Sequence, residues 1–395
     1  MNILVLNSGS SSIKCQYFIG RESVASILIE RIGEAEGYGE LRSRSGKLTH
    51  NAPIEDHHQA LALLFRMLRD ADILSSVEAL DAIGHRVVHG GASFDQPTLV
   101  TEEVIEAIRE LIPLAPLHNP ANLYGIEAVR ELHPDLPQVA IFDTAFHQTM
   151  PPSAYLYPLP YDYYEELGVR RYGFHGTSHA YIAKQAAVML NETLDRLNLI
   201  TLHLGNGASA TAIRKGESID TSMGLTPLEG LMMGTRCGDI DPAILPYLTK
   251  HLGLDIEAVD TILNKKSGLK GVCGSNDMRE VIEEAERGEQ RSETALEMYA
   301  YRIKKYIGAY SVALGKVDAI VFTGGIGEHA VKIREMVCRG LEDSIGAKLD
   351  NDKNARETTT PRSIEESGSR IAILVIPTNE ELEIALQTEK IIRGD

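Results

Sequence analysis

Cations, cysteines and long apolar runs are all scarce in this sequence. Across 395 residues, 39 Lys and Arg face 56 Asp and Glu, a formal net charge of −17. That field repels nucleic acid and anionic membrane surfaces, so neither is expected as a partner, and an anionic substrate would need local clusters of Arg, Lys and backbone N–H. The four cysteines, Cys15, Cys237, Cys273 and Cys338, include no C-x-x-C pair. A disulfide framework and a thiolate zinc site are therefore not expected, and all four read as free thiols. The most apolar runs, such as IAILVI at 371–376, are strand-sized rather than membrane-sized. The opening MNILVL has neither the basic flank nor the long apolar stretch of a secretion signal, and a soluble, cytoplasmic protein is expected. A Walker-A loop, G-x-x-x-x-G-K-[ST], is also missing.

What is present is a pattern that starts twice. Hydrophobic residues make up 43% of a chain longer than one core usually grows, so two domains are expected. Apolar, β-branched runs at 2–6, 13–19 and 24–29 predict strands joined by tight turns, and the polar stretch 33–51 reads as a surface excursion. Helical spacing over 55–69, 102–112 and 121–132 alternates with predicted strands at 81–88 and 137–143. The second half opens again with an apolar run, a glycine-rich turn and a second run at 198–216. Helices are predicted at 242–252, 255–264, 277–287 and 290–314, and 318–337 reads as strand, glycine turn and helix. Residues 348–370 read as irregular surface. A strand, a Pro-Thr-Asn turn and a helix starting at Glu380, capped by Asn379, complete the chain. The fold class is α/β, built from two related halves.

Several turns carry chemistry. Asn7 and Ser8 to Ser12 offer hydroxyls and backbone N–H to an anion and an amide oxygen to hydrated Mg²⁺, or simply close a hairpin. HLGNGAS (203–209) repeats the arrangement, and GGIGEH (324–329) adds a third strand-end glycine turn, as a nucleotide site would need. Arg86 follows a predicted strand beside small apolar residues, which suits a short aliphatic carboxylate. His85 and His89 have the spacing of a metal pair, but on a β-branched segment ending in Gly-Gly rather than on a helix. His175 sits between Gly173 and Gly176 before a helix that Thr177 or Ser178 could cap. Arg236, between Gly234 and Gly238, would serve as a clamp on a transferring phosphoryl group. Asp143 ends a strand and reads as a site carboxylate or as an N-cap.

Taken together, NSGSSSIK, HRVVHGG, DTAFH, YGFHGTSH, HLGNGAS, DTSMGLTPLEGLMMGTRCGDIDP, FTGGIGE and PTNEEL, running in this order from Asn7 to Leu382, resemble the acetate kinase family. The resemblance implies duplicated actin-like, ribonuclease H-like domains with a nucleotide cleft between them. Residues 1–145 plus 382–395 would form the first domain, and 146–381 the second, with the nucleotide site and a homodimer contact. It further implies reversible transfer of the ATP γ-phosphoryl group to acetate, giving acetyl phosphate and ADP, by direct in-line transfer with Mg²⁺, or Mn²⁺ as the alternative.

The same resemblance assigns residues. Arg86 would bind the acetate carboxylate, with Val88, Leu117 and Pro227 around its methyl group. His175 and Arg236 would stabilise the transition state, and Asp143 matches an essential acidic position. Asn7 and Glu380 match the metal positions, and Ser10, Ser12 and Lys14 would support the phosphates. His203, Leu204, Gly205, Asn206 and Gly207 would contact the phosphates of ATP. Asp277, Met278 and Arg279, with Gly325, Ile326, Gly327, Glu328 and His329, would surround the adenosine. Propionate kinase is the nearest alternative. A non-catalytic actin-like or Hsp70-like module would have no need of Arg86 and its apolar neighbours.

Overall fold

Two mixed β-sheets organise the chain, one in each of two compact units: Met1–Phe146 with the segment from Asn379, and His147–Thr378. The computed structural model describes residues 1–394. In the first unit the strands are β1 (Asn2–Ser8), β2 (Ser12–Ile19), β3 (Glu22–Glu30), β4 (Tyr38–Ser43), β5 (Gly46–Asn51), β6 (Ala82–Val87), β7 (Thr98–Leu99) and β8 (Gln138–Phe142). Their order is β5-β4-β3-β2-β1-β6-β8-β7, with β1, β6 and β8 parallel and every other neighbour antiparallel.

The apolar run of β1 follows from burial on both faces. Leu4 and Leu6 join Leu61, Leu64 and Leu68 of the helix His57–Asp70, whereas Ile3 and Val5 join Ile384 and Ala385 of the helix Glu380–Arg393. Gly84 lets that last helix lie close to β6, since a Cβ there would stand 2.4 Å from Thr388 Oγ1. The stretch 33–51 is not the surface excursion expected from its polarity but contains β4 and β5. An outer strand needs one apolar face only, and Leu41 supplies it, while Glu40 on the other face is engaged by Tyr38, Arg42 and Lys47. Charged side chains thus mask a period of two.

His85 and His89 do not form a metal pair. His85 Nε2 donates to Gln138 Oε1 at 2.7 Å across β6 and β8, and His89 Nδ1 accepts from Gly91 N at 3.0 Å. Burial pushes the His85 pKa down to about 4, with the Gln138 bond acting in the opposite direction. An unfolded chain takes up that proton near the ordinary histidine value, so stability falls as pH drops from about 6.5 to 4, by up to about 1.4 kcal/mol per unit from this group. Denaturant midpoints followed over that range should show the fall, and His85→Gln should flatten it. An acid limb unchanged in the variant would remove His85 as its cause.

The second unit repeats the topology. Its strands are β9 (Asn198–Leu204), β10 (Ala208–Arg214), β11 (Glu217–Thr221), β12 (Ala319–Thr323), β13 (Arg362–Ser363) and β14 (Ala372–Val375), in the order β11-β10-β9-β12-β14-β13. Again a three-strand antiparallel meander leads into a parallel trio, here β9, β12 and β14, followed by an antiparallel edge. The twofold start of the sequence is therefore a duplicated strand order. Residues 348–370 are less irregular than expected. They include β13 and a short helix, Asn351–Ala355, in which Asn354 is buried. Among the described residues no helix is long and apolar enough to cross a membrane.

Candidate active site

Parallel strand ends bring together the charged group of the first unit. Arg86 near the end of β6 lies opposite Ile141 of β8, and Asp143 follows directly, its N–H donating to Val87 O at 3.0 Å. The carboxylate of Asp143 accepts from Arg86 Nε at 3.0 and 3.2 Å and from Nη2 at 2.7 Å, so it belongs to an ion pair. Glu380, at the start of the last helix behind the Asn379 cap, sits 3.7 Å from Arg86 Nη2. Burial alone would lower the Arg86 pKa, but Asp143 and Glu380 raise it above the ordinary arginine value. Burial raises the pKa of Glu380, with Arg86 opposing and Asp143 adding to the shift. Asp143 takes one edge of the guanidinium. The Nη1 end has no acceptor among the described residues.

The other residues expected in this unit are less concentrated. Val88 is half-buried beyond β6, but Leu117, in the turn before the helix Asn119–Leu132, is 67% exposed and encloses nothing by its own packing. NSGSSSIK forms the β1–β2 hairpin, closed by Gly9 N donating to Ser12 O at 2.7 Å and held by His57 Nε2 on Gly9 O at 2.8 Å. Ser10 is exposed and Ser12 half-buried. Asn7 faces Lys14 across the ladder and so shares its side of the sheet. Lys14 lines a hollow of about 270 Å³ with Glu40, Arg42 and Glu381.

In the second unit, His175 and Arg236 converge on Gly207. A Cβ at Gly207 would lie 3.5 Å from both His175 Nε2 and Arg236 Nη1, so the absent side chain leaves room between them. His175 holds a left-handed backbone, φ +57°, unusual for a residue with a side chain. It is itself the residue before the helix Gly176–Leu190, which corrects the expected cap at Thr177 or Ser178. Ser178 instead bonds His203 Nδ1 and Thr378 Oγ1, each at 2.8 Å. His175 stacks on His203 with ring centroids 4.2 Å apart, and its Nδ1 is hydrogen-bonded to Ser209 Oγ at 2.9 Å. Arg236 donates to Pro227 O at 3.0 Å. Burial lowers its pKa, and among the described residues no carboxylate pairs with it. Pro227 is thus joined to Arg236, while Val88 and Leu117 belong to the first unit.

A cavity of about 1060 Å³ opens beside these turns, lined by Gly205, Asn206, Asp277, Met278, Arg279, Gly325, Ile326 and His329 among others. Asn206 Oδ1 accepts from Asn276 Nδ2 at 3.1 Å, and Gly234 permits its approach, because a Cβ there would stand 2.0 Å from that oxygen. Asp277 and Arg279 pair with each other at 2.6 Å at the start of the helix Met278–Glu286. GGIGEH is a helix, Gly324–His329, rather than a plain turn, which divides its side chains. Gly325, Ile326 and His329 face the cavity. Gly327 and Glu328, expected beside the adenosine, do not line it. Glu328 Oε1 instead accepts from Gly324 N at 2.9 Å and Thr378 N at 3.2 Å, tying two turns together. Leu204 is fully buried at the end of β9.

Sequence reasoning missed the cavity residues Ile282, Glu283, Glu286, Val331, Lys332 and Glu335. The helical spacing of Ile282 and Glu286 from Met278 was the available signal for that wall, whereas Val331, Lys332 and Glu335 stand on a separate helix after His329. It also missed two arginines that shape the turns. Arg171 donates to three successive carbonyls, Thr221, Ser222 and Met223, and to Glu229 at 2.6 Å. Arg334, fully buried, donates to the carbonyls of Gly327, Glu328 and Asn354 and to the Asn354 side chain.

Two units that share a six-strand order, one with an arginine and carboxylate set and the other with glycine turns beside a cavity large enough for a nucleotide, define a duplicated α/β protein with a nucleotide-sized site. The chain belongs to the acetokinase family, whose model matches residues 2–386. It is 62% identical over 392 residues to acetate kinase from Sulfurovum sp. (strain NBC37-1), covering 99% of each chain. Among solved structures it resembles Porphyromonas gingivalis acetate kinase, with a TM-score of 0.95, 43% identity and 99% of each chain covered. It also resembles a propionate kinase from Francisella tularensis subsp. tularensis SCHU S4, with a TM-score of 0.92 and 42% identity over 98% of this chain and 99% of that one.

Proposed function

We propose that this chain is an acetate kinase, moving the γ-phosphoryl group of ATP onto acetate to give acetyl phosphate and ADP, reversibly and by direct in-line transfer. The observation that carries this reading is Arg86, oriented by Asp143 with its Nη1 end unclaimed, on the strand end that runs into the half-buried Val88. That geometry suits a small carboxylate and has no use in a module that only holds a nucleotide. A carboxylate is already nucleophilic, so positioning and charge neutralisation supply most of the rate and no strong base is needed. The space bracketed by His175 and Arg236 over Gly207 supports their assignment to the phosphoryl oxygens, His175 as a hydrogen-bond donor. The cavity at Asn206, Asp277 to Arg279 and Gly325 to His329 would take the nucleoside, with His203 to Gly207 nearer the phosphates and Ser10, Ser12 and Lys14 in support.

Mg²⁺ prefers oxygen donors, keeps several waters and is commonly held by one or two protein groups beside substrate phosphates. Among the described residues no cluster of three His, Cys, Asp or Glu could cage a metal. The amide oxygen of Asn7 and the carboxylate of Glu380 fit an ion that arrives with the nucleotide. When bound, that ion, or Mn²⁺ in its place, neutralises charge on the phosphate oxygens. The reading also includes a homodimer in the cytoplasm. The exposed Leu117 favours a second acceptor, propionate, because one methylene changes discrimination by only about 10- to 200-fold.

Purified protein with ATP and Mg²⁺ should form acyl phosphate, trapped as hydroxamate, fastest from acetate, more slowly from propionate and least from butyrate. Intact ATP binding without acyl phosphate from any of the three would refute the reading.

A further inference from the structure

Beyond the end of β6 the backbone leaves the ladder, and four successive N–H groups all go to side chains. Val88 N donates to Asn122 Oδ1 at 3.0 Å and His89 N to Asn119 Oδ1 at 3.2 Å. Gly90 N donates to Thr144 Oγ1 and Gly91 N to His89 Nδ1, both at 3.0 Å. None of these four N–H groups is left for a carboxylate ligand, and the guanidinium of Arg86 remains for that task. The loop itself is a passive wall, and its position is set by whatever holds it.

Asn122 holds more than the loop. Its Nδ2 donates to Ser8 O at 2.9 Å, at the end of β1, where the hairpin turn of residues 7–12 begins. One side chain, 3% exposed, therefore uses both ends of its amide to join the turn after β1 to the loop after β6. One helical turn further on, Gly125 brings the same helix against Ser8, since a Cβ there would stand 2.2 Å from Ser8 Oγ. Buried amide groups bonded at both ends are costly to disturb, because each lost partner leaves a buried backbone group unsatisfied.

We infer that Asn122 is a positioning residue that couples the acyl loop at Val88 to the metal and phosphate turn at Asn7, so that acyl-chain preference and nucleotide affinity both depend on it. The inference rests on the acetate kinase reading above. Neither partner atom of Asn122 is a side-chain group of the reaction, so its influence passes through the backbone of Ser8 and Val88.

Two substitutions separate its two bonds. Asn122→Ala removes both, and should raise the KM for acetate and for Mg-ATP by about tenfold each, with a several-fold loss of the acetate-over-propionate ratio of kcat/KM. Asn122→Asp keeps an acceptor for Val88 N–H but no donor for Ser8 O. Its acetate KM and acyl preference should stay within a few-fold of the wild type while the KM for Mg-ATP rises. Gly125→Ala, which deletes no hydrogen-bonding side chain and crowds Ser8, should behave like Asn122→Asp and carries the test if Asn122→Ala does not fold. Loss of acyl preference in Asn122→Asp equal to that in Asn122→Ala, or unchanged kinetics in folded Asn122→Ala, would overturn the inference. A wild-type protein that makes no acyl phosphate would instead overturn the functional reading.

Discussion

Arg236→Ala should lower kcat by about 10³- to 10⁵-fold, the range seen when an arginine that neutralises a transferring phosphoryl group is removed. Binding of ATP should change far less, because charge on the equatorial oxygens develops only in the transition state. The structure adds an expectation about stability. Arg236 is a partly buried cation whose partners are the carbonyl of Pro227 and the sulfur of Met233, with no carboxylate paired to it among the described residues. Removing it orphans no buried anion, so the melting temperature should hold or rise. A residue retained for packing would behave in the opposite way. Steady-state kinetics and thermal melts on the same preparation decide it: a loss of activity below about tenfold together with a lowered melting temperature would return Arg236 to a structural role.

Arg86→Ala should differ in both respects. The KM for acetate should rise by about 10²- to 10³-fold, as expected for loss of a charged, directional hydrogen-bond partner, with a smaller change in kcat. Here stability should fall, because Asp143 and Glu380 share this one cation. Breaking a buried pair by deleting one member costs about 3–5 kcal/mol. The pH dependence has a defined sign. Burial already raises the Glu380 pKa and Arg86 opposes that shift. Without Arg86 the folded state holds the Glu380 proton to still higher pH than the unfolded chain does, so the variant should lose stability as pH rises above the ordinary carboxylate range. Adding Glu380→Gln should reduce that slope. If Arg86→Ala melts like the wild type across the whole range, the three groups are not energetically linked.

Much of this was legible in the residues. The turns at 7–12, 203–209 and 324–329 each follow a short apolar run, and hydrophobic periodicity located β1, β6, β9 and β12 with the helices between them. Asn379 was recognisable as the cap of the last helix, and it is one. What escaped had a common cause. In β4 and β5 an outer strand with a charged face resembles a loop, because only one side is buried. In the helix Gly324–His329 composition suggested a turn, and only the backbone shows that Glu328 faces the Thr378 turn while His329 faces the cavity. Asn119, Asn122, Arg171 and Arg334 carry no motif. Most of their partners are backbone groups, up to 114 residues away, and nothing in the local sequence names them.

The α/β class, the twofold start, the polarity of the turns and the kinds of side chain at the strand ends follow from the residues alone, since these depend on local propensity and on periods of two and 3.6. Folding alone settled that Arg86 has a carboxylate partner, that Arg236 has none among the described residues, and that His175 rather than a neighbouring hydroxyl begins its helix. It also decided that one asparagine joins two loops. Those outcomes depend on which distant chain segments exclude water together. Burial of that kind sets the cost of a charge or an unpaired N–H, and no local pattern encodes it.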